Sequence, residues 1–286
     1  MENNRTLDSH TILYGVFGDP IRHSRSPIML NRAFQETGLN AAYAAFHVSP
    51  LELGDAIRGI RALGYRGVNV TIPHKVEVMQ YLDEIDEGAQ VIGAVNTIVN
   101  DNGRLKGYNT DGIGYVRSLK EETGIELQGK TVLLLGAGGA ARGVAYALAK
   151  EGAACIYIAN RTKERALELA DAISSFTRTE GIGLDEIDRA VHEAVLVVNT
   201  TSAGMHPNVD ELPMPIDSLS ERHLVSDLIY NPRITRFLRE AELKGARIHG
   251  GLGMFIYQGA FAFEYWTGTA APVAAMRQVV EQSLAE

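Results

Sequence analysis

Disulfide chemistry is the first thing this sequence excludes. A single cysteine, Cys155, stands in 286 residues, so no disulfide framework can form within the chain, which fits a reducing compartment. Long apolar runs are absent too. No stretch approaches the roughly 18 consecutive apolar residues a spanning helix needs, and the opening MENNRTLDSH lacks the apolar core of a secretory signal. Nor is there an excess of positive charge. Thirty-five acidic residues against 27 basic give a net charge of −8, which argues against wholesale binding to nucleic acid or an anionic membrane. A small anionic substrate remains compatible, because local donors can hold one against the overall field. His23, His47, His74 and His206 are scattered without ligand spacing, so no metal site is expected. No repeat or low-complexity tract occurs. These absences together lead us to expect a soluble cytoplasmic protein with no nucleic-acid or membrane partner; its oligomeric state, monomer or homodimer, is not written in them.

What is present is ordinary globular material, 45% hydrophobic and 22% charged, enough to form a core without staples. Short apolar runs alternate with helical patterns almost throughout. ILYGVFG, AAYAAFHV and GVNVTIP read as strands, SPIMLNRAFQETG and LELGDAIRGIRALG as helices. This alternation predicts an α/β fold with mostly parallel sheets. A second series begins with TVLLLGAGG and runs through CIYIANR, VLVVNTT and HLVSDLIY to a strand at 247–249. Residues 114–123 read as a helix crossing between domains. We therefore expect an N-terminal α/β domain over 1–112 and a nucleotide-type domain over 113–250. Helices at about 254–265 and 272–285, within a C-terminal segment 251–286, return to the first domain.

TVLLLGAGGAARGVAYALA is a buried strand, a tight glycine turn and a helix. Gly136, Gly138 and Ala141 match G-x-G-x-x-G/A. The first glycine permits the turn, the second admits a pyrophosphate to the backbone, and the third small residue lets helix and strand pack. Cofactor contacts are expected along Gly136, Ala137, Gly138, Gly139 and Ala140, with the phosphate at the helix N-terminus. The next strand ends in Asn160, Arg161 and Thr162, with Arg165 one turn later. Enzymes that prefer NAD place a carboxylate here to accept from the ribose 2′-hydroxyl. This chain offers donors suited to a 2′-phosphate, which points to NADP. Thr162 can also cap the following helix.

The stretch GVNVTIPHK reads as a strand with Val68, Val70 and Ile72 on one face, and Asn69 and Thr71 on the other. Pro73 stops the ladder. Lys75 lies just beyond, where loops of α/β sheets build sites, and Asn96 and Asp111 follow in GAVNTIV and YNTDG. Surface charge for Lys75 and a helix cap for Asp111 are the plainer readings. A lysine beside a carboxylate can also exchange the proton of an alcohol that a nicotinamide oxidises. Upstream, GDPIRHSRSPIMLN holds Ser24 and Ser26. Ser26 before Pro27 signals a helix start with the serine as cap, at an N-terminus that already favours an anion. Ser24 lies ahead of that cap with no such duty.

With these residues in hand, the chain resembles the shikimate dehydrogenase family over nearly its whole length. The matching pieces are GDPIRHSRSP, NVTIPHK, GAVNTIV, YNTDG, GAGGAAR, NRTKERA, NTTSAGM, DLIYNPRITRFL and GLGMFIYQGAFAFEYWTG. The resemblance implies reversible NADPH-dependent reduction of 3-dehydroshikimate to shikimate, on the route to chorismate and the aromatic amino acids. It implies Lys75 and Asp111 as the catalytic pair. Asn69, Thr71, Asn96 and Gln258 would hold ring hydroxyls, and Ser24, Ser26 and Tyr230 the carboxylate. Thr200 would join the cofactor site, with Gly251 and Met254 near the nicotinamide. It also implies a substrate domain and a Rossmann-like NADP domain with a cleft between them. One position departs: Leu30 stands where the family usually has histidine, and with Phe34 at i+4 it reads as a core face. An enzyme of broader quinate/shikimate specificity is the alternative. A non-catalytic dinucleotide-binding regulator fits less well, since it would not need Lys75, Asp111 and Gln258.

Overall fold

A computed structural model, which describes residues 7–285, divides the chain into two compact α/β units. In chain order the strands are β1 (Ile12–Gly18), β2 (Ala41–His47), β3 (Gly67–Val70), β4 (Glu84–Ile85), β5 (Thr97–Asp101), β6 (Arg104–Tyr108), β7 (Thr131–Leu135), β8 (Cys155–Asn160), β9 (Arg178–Gly183), β10 (Leu196–Asn199), β11 (Leu224–Asp227) and β12 (Arg247–His249). The helices are α1 (Ser26–Glu36), α2 (Leu53–Ala62), α3 (Glu87–Ile92), α4 (Asp111–Thr123), α5 (Gly139–Lys150), α6 (Lys163–Ile173), α7 (Ile187–Glu193), α8 (Arg236–Leu243), α9 (Leu252–Thr267) and α10 (Val273–Ala285). Among the described residues no helix is long and apolar enough to cross a membrane.

The first unit runs to Thr110 and resumes at Gln258. Its sheet has the order β2-β1-β3-β5-β6-β4. β1 pairs in parallel with β2 and β3, but β5 pairs antiparallel with both β3 and β6. This antiparallel half departs from a purely alternating βα reading. Its cause is local: Asn102 and Gly103, both at positive φ (52° and 94°), make the two-residue turn that joins β5 to β6. Helix α2 covers one face through Leu53, Ile57 and Ile60, spaced at i, i+4 and i+7, which meet Val68, Val70, Ile98 and Leu105 of the sheet. On α1, Met29, Leu30, Ala33 and Phe34 are buried. Phe34 stacks on Tyr14 at 5.0 Å and meets Phe263 of α9 at 5.5 Å. Leu30 lies on this face with no exposure, so the departure from histidine places an apolar side chain in the core.

One expectation needs correction here. Ile72 does not share the buried face of Val68 and Val70; it is 72% exposed, whereas they are at 0% and 1%. The strand ends at Val70, three residues before Pro73. The Thr71 N–H donates to the Phe17 carbonyl, and the His74 N–H turns back onto the Thr71 carbonyl, so alternation ends with the ladder. Along the chain the two compact units divide at 110/111 and 257/258. The first turns of α9 explain the later one. The Gly251 N–H donates to the Ile229 carbonyl, and the Tyr257 hydroxyl pairs with Glu121, so 251–257 belong with the second unit.

That second unit, Asp111–Tyr257, carries an all-parallel sheet ordered β12-β11-β10-β7-β8-β9. Read from β9, this is the 3-2-1-4-5-6 order of a doubly wound dinucleotide fold. Its central strands are buried on both faces, as the near-continuous apolar run TVLLL requires.

Candidate active site

The winding of the second sheet reverses between β7 and β10, and open α/β sheets bind ligands outside the strand ends at such a point. Gly136 leaves β7 there with φ +107°, which side-chain-bearing residues rarely adopt. A Cβ on it would stand 2.7 Å from Thr200 Oγ1 and 2.9 Å from Thr201 Cγ2. Thr200 is itself clasped to β7, its N–H and Oγ1 both donating to the Leu135 carbonyl at 2.9 and 2.7 Å. Gly138 is the N-cap of α5, and no side chain caps the helix. A Cβ on Gly138 or Gly139 would meet nothing within 4 Å. The first amides of α5, flanked by the half-buried Ala137 and Ala140, therefore face open space suited to a pyrophosphate.

Strand β8 ends at Asn160, whose Nδ2 donates to the Thr162 carbonyl at 2.9 Å. Arg161 and Arg165 are exposed beyond it. Thr162 occupies the N-cap of α6 but makes no side-chain capping bond, so the structural duty weighed for its hydroxyl is not performed. No carboxylate stands at 160–162, and two guanidinium forks do stand nearby. The residues fit a 2′-phosphate better than a bare ribose.

Sequence reasoning missed the residue that ties this side together. Asp227 ends β11, fully buried. Its Oδ1 accepts from the Ile229 N–H at 3.0 Å, and its Oδ2 accepts from the Thr235 hydroxyl at 2.8 Å. Asn199 Nδ2 reaches both oxygens at 3.2 and 3.1 Å. Asn199 Oδ1 in turn accepts from the Thr201 N–H and hydroxyl at 3.0 and 2.7 Å. Burial pushes the Asp227 carboxyl up to about 6, despite these donors. One carboxylate thus fixes both the Thr200 loop and the loop carrying Tyr230, whose ring stacks on Phe255 at 4.7 Å. The usable signal was a carboxylate closing an apolar strand in HLVSDLIY. Met254 is buried in the first turn of α9, beside Gly251. Asp111 is the first residue of α4, not the residue ahead of it, and is buried.

In the first unit Asn69 and Asn96 lie side by side, both buried. Asn69 Nδ2 donates to the Asn96 carbonyl at 3.1 Å and to Thr97 Oγ1 at 3.0 Å. Asn96 Nδ2 donates to Thr110 Oγ1 at 3.0 Å, and its Oδ1 accepts from the Thr110 N–H at 2.8 Å. A solvated edge is therefore excluded for Asn69. Thr71 is half-buried where β3 gives way to the turn. That turn pins Lys75 from both sides. The buried His74 places Nε2 2.7 Å from the Val48 carbonyl, and the Lys75 carbonyl accepts from the Val95 N–H at 2.8 Å. Gln258 is half-buried on α9.

The structural duties of the two serines differ from those expected. Ser26 is the first residue of α1, Arg25 holds the N-cap position, and no side chain caps there. Ser24 Oγ instead accepts from the Ser26 N–H at 3.3 Å, a local turn bond that shapes the entry to the helix. Ser26 is buried. Among the described residues no group of three or more His, Cys, Asp or Glu stands together as metal ligands.

Comparison with known proteins accords with this geometry. Residues 16–98 match the family model of the shikimate dehydrogenase substrate binding domain. Residues 118–228 match shikimate / quinate 5-dehydrogenase, and 251–281 the shikimate 5′-dehydrogenase C-terminal domain. A protein of Geobacillus sp. (strain WCH70) named shikimate dehydrogenase (NADP(+)) is 52% identical over 95% of this chain and 98% of its own length. The Listeria monocytogenes shikimate 5-dehydrogenase, solved with shikimate and NAD, is 39% identical with a TM-score of 0.92, covering 96% of this chain and 98% of that one. The Thermus thermophilus enzyme, solved with NADP(H) and shikimate, is 37% identical with a TM-score of 0.86, covering 96% of this chain and 100% of that one. The chain belongs to the shikimate dehydrogenase family.

Proposed function

We infer that the chain catalyses the reversible NADPH-dependent reduction of 3-dehydroshikimate to shikimate, as an oxidoreductase acting on a CH–OH group. The observation that carries this reading is the full-length identity of 52% with a relative named for that activity and cofactor. The open α5 N-terminus and the arginines beyond β8 support the cofactor half of it. NADP, when bound, supplies the hydride donor or acceptor. Backbone amides over 136–140 hold its pyrophosphate beside Thr200; Asn160, Arg161, Thr162 and Arg165 hold the 2′-phosphate. Gly251 and Met254 serve the nicotinamide.

On the substrate side Lys75 and Asp111 bind the reacting hydroxyl, take its proton in oxidation and return it in reduction. Asn69, Thr71, Asn96 and Gln258 hold ring hydroxyls. Ser24, Ser26 and Tyr230 hold the carboxylate, for which charged-acceptor hydrogen bonds are the strong kind. The single, buried Cys155 suits a reducing cytoplasm, the proposed setting. Incubation with 3-dehydroshikimate and NADPH tests the reading: shikimate accumulates in step with NADPH loss, and its absence would overturn the assignment. A second reading, turnover of quinate as well, is favoured by the breadth of the shikimate / quinate model matched over 118–228.

A further inference from the structure

A buried hydroxyl that the reading above leaves without a role is bonded to one of its substrate contacts. Tyr43 lies on β2, 3% exposed, and its OH donates to Asn69 Oδ1 at 2.7 Å. From there the chain of bonds continues without a break. Asn69 Nδ2 donates to Thr97 Oγ1, Thr97 Oγ1 donates to Asn96 Oδ1 at 3.0 Å, and Asn96 Nδ2 donates to Thr110 Oγ1. Three elements and the residue ahead of α4 are thereby laced together in the first unit: β2, β3 and the start of β5.

We propose that Tyr43 is a positioning residue of the substrate site, locking the asparagine that receives a ring hydroxyl into one orientation. The proposal rests on the shikimate dehydrogenase reading. Its physical content is the orientation of a carboxamide. Both Asn69 amide hydrogens face protein oxygens, the Asn96 carbonyl and Thr97 Oγ1. Its oxygen is held toward Tyr43, so Asn69 meets a ligand hydroxyl as an acceptor. Without the phenol that orientation loses its side-chain donor. Burial holds the Tyr43 phenol well above the ordinary tyrosine range, so it remains a donor at all working pH values. Fully connected buried networks of this kind fix geometry more strongly than their separate bonds do.

The test is Tyr43→Phe, which keeps the ring and removes only the hydroxyl. Calorimetric titration should show shikimate bound about tenfold more weakly, with NADP affinity unchanged. Loss of one buried hydrogen bond is of that order. Equal weakening of shikimate and NADP, or no change in either despite a lower melting temperature, would overturn the proposal by leaving Tyr43 a purely structural role. If that variant does not fold, Thr97→Val removes the acceptor of Asn69 Nδ2 from the same network. It should show the same split between the two ligands, and unchanged shikimate affinity there would equally overturn the proposal. Failure of the parent reading is separately visible, because the unaltered protein would then bind no shikimate.

Discussion

Asp227 should make this protein less stable at neutral pH than at mildly acid pH, and Asp227→Asn should abolish that dependence. The carboxyl is fully buried and raised from an ordinary 3.8 to about 6. A carboxyl raised in the folded state binds its proton more tightly there than in the unfolded chain. Stability therefore falls as pH rises through the window from about 4 to about 6, and is flat above it. The interval is roughly 2 pH units, which corresponds to about 3 kcal/mol. Asparagine does not titrate, so the difference in unfolding free energy between the two proteins isolates this group from all others. Urea unfolding followed by circular dichroism at intervals from pH 4 to 7.5, in both proteins, supplies that difference. It should shift by about 3 kcal/mol in the variant's favour between pH 4 and 6, then stay constant. A difference that is flat throughout would refute the burial argument. One that shifts the other way would mean the four donor contacts outweigh desolvation. The variant also turns one acceptor into a donor facing Asn199 Nδ2 or Thr235, so the Thr200 loop should loosen and the Michaelis constant for NADP rise.

Gly136→Ala should weaken NADP binding at least tenfold while leaving shikimate binding intact, measured by titration of each ligand, because its Cβ would press on Thr200 Oγ1 at 2.7 Å from a backbone at φ +107°. Replacing Arg161 and Arg165 together by alanine should raise the Michaelis constant for NADP far more than that for NAD; equal effects would remove them from the 2′-phosphate. Lys75→Ala should cut turnover by orders of magnitude with NADP affinity nearly unchanged, since Lys75 and the residues proposed to hold the cofactor lie in different units. Near-normal turnover would take Lys75 out of the chemistry.

What could be read in the sequence was whatever is encoded locally. The Gly136 turn sits between its own strand and helix, and the Leu30–Phe34 face follows from helical spacing alone. Ile72 was misjudged because alternation predicts a face only while the ladder lasts, and the ladder ends where Thr71 turns to Phe17, a partner far along the chain. The serines were misjudged for a related reason. A serine before a proline looks like a cap, yet the cap position falls on Arg25 and no side chain caps the helix. Asp227 and Asn199, 28 residues apart, and Tyr43 and Asn69, 26 apart, meet only once strands pair. Buried polar contacts of that range leave no periodic trace, whereas the strand ends that carry them do.

The most direct measurement is the initial rate of nicotinamide reduction with shikimate and with quinate, each with NADP and with NAD. The account predicts that shikimate with NADP has the highest kcat/KM of the four, with a preference for NADP that disappears when Arg161 and Arg165 are replaced. Absence of shikimate oxidation with either cofactor, or a higher kcat/KM with NAD than with NADP, would contradict it.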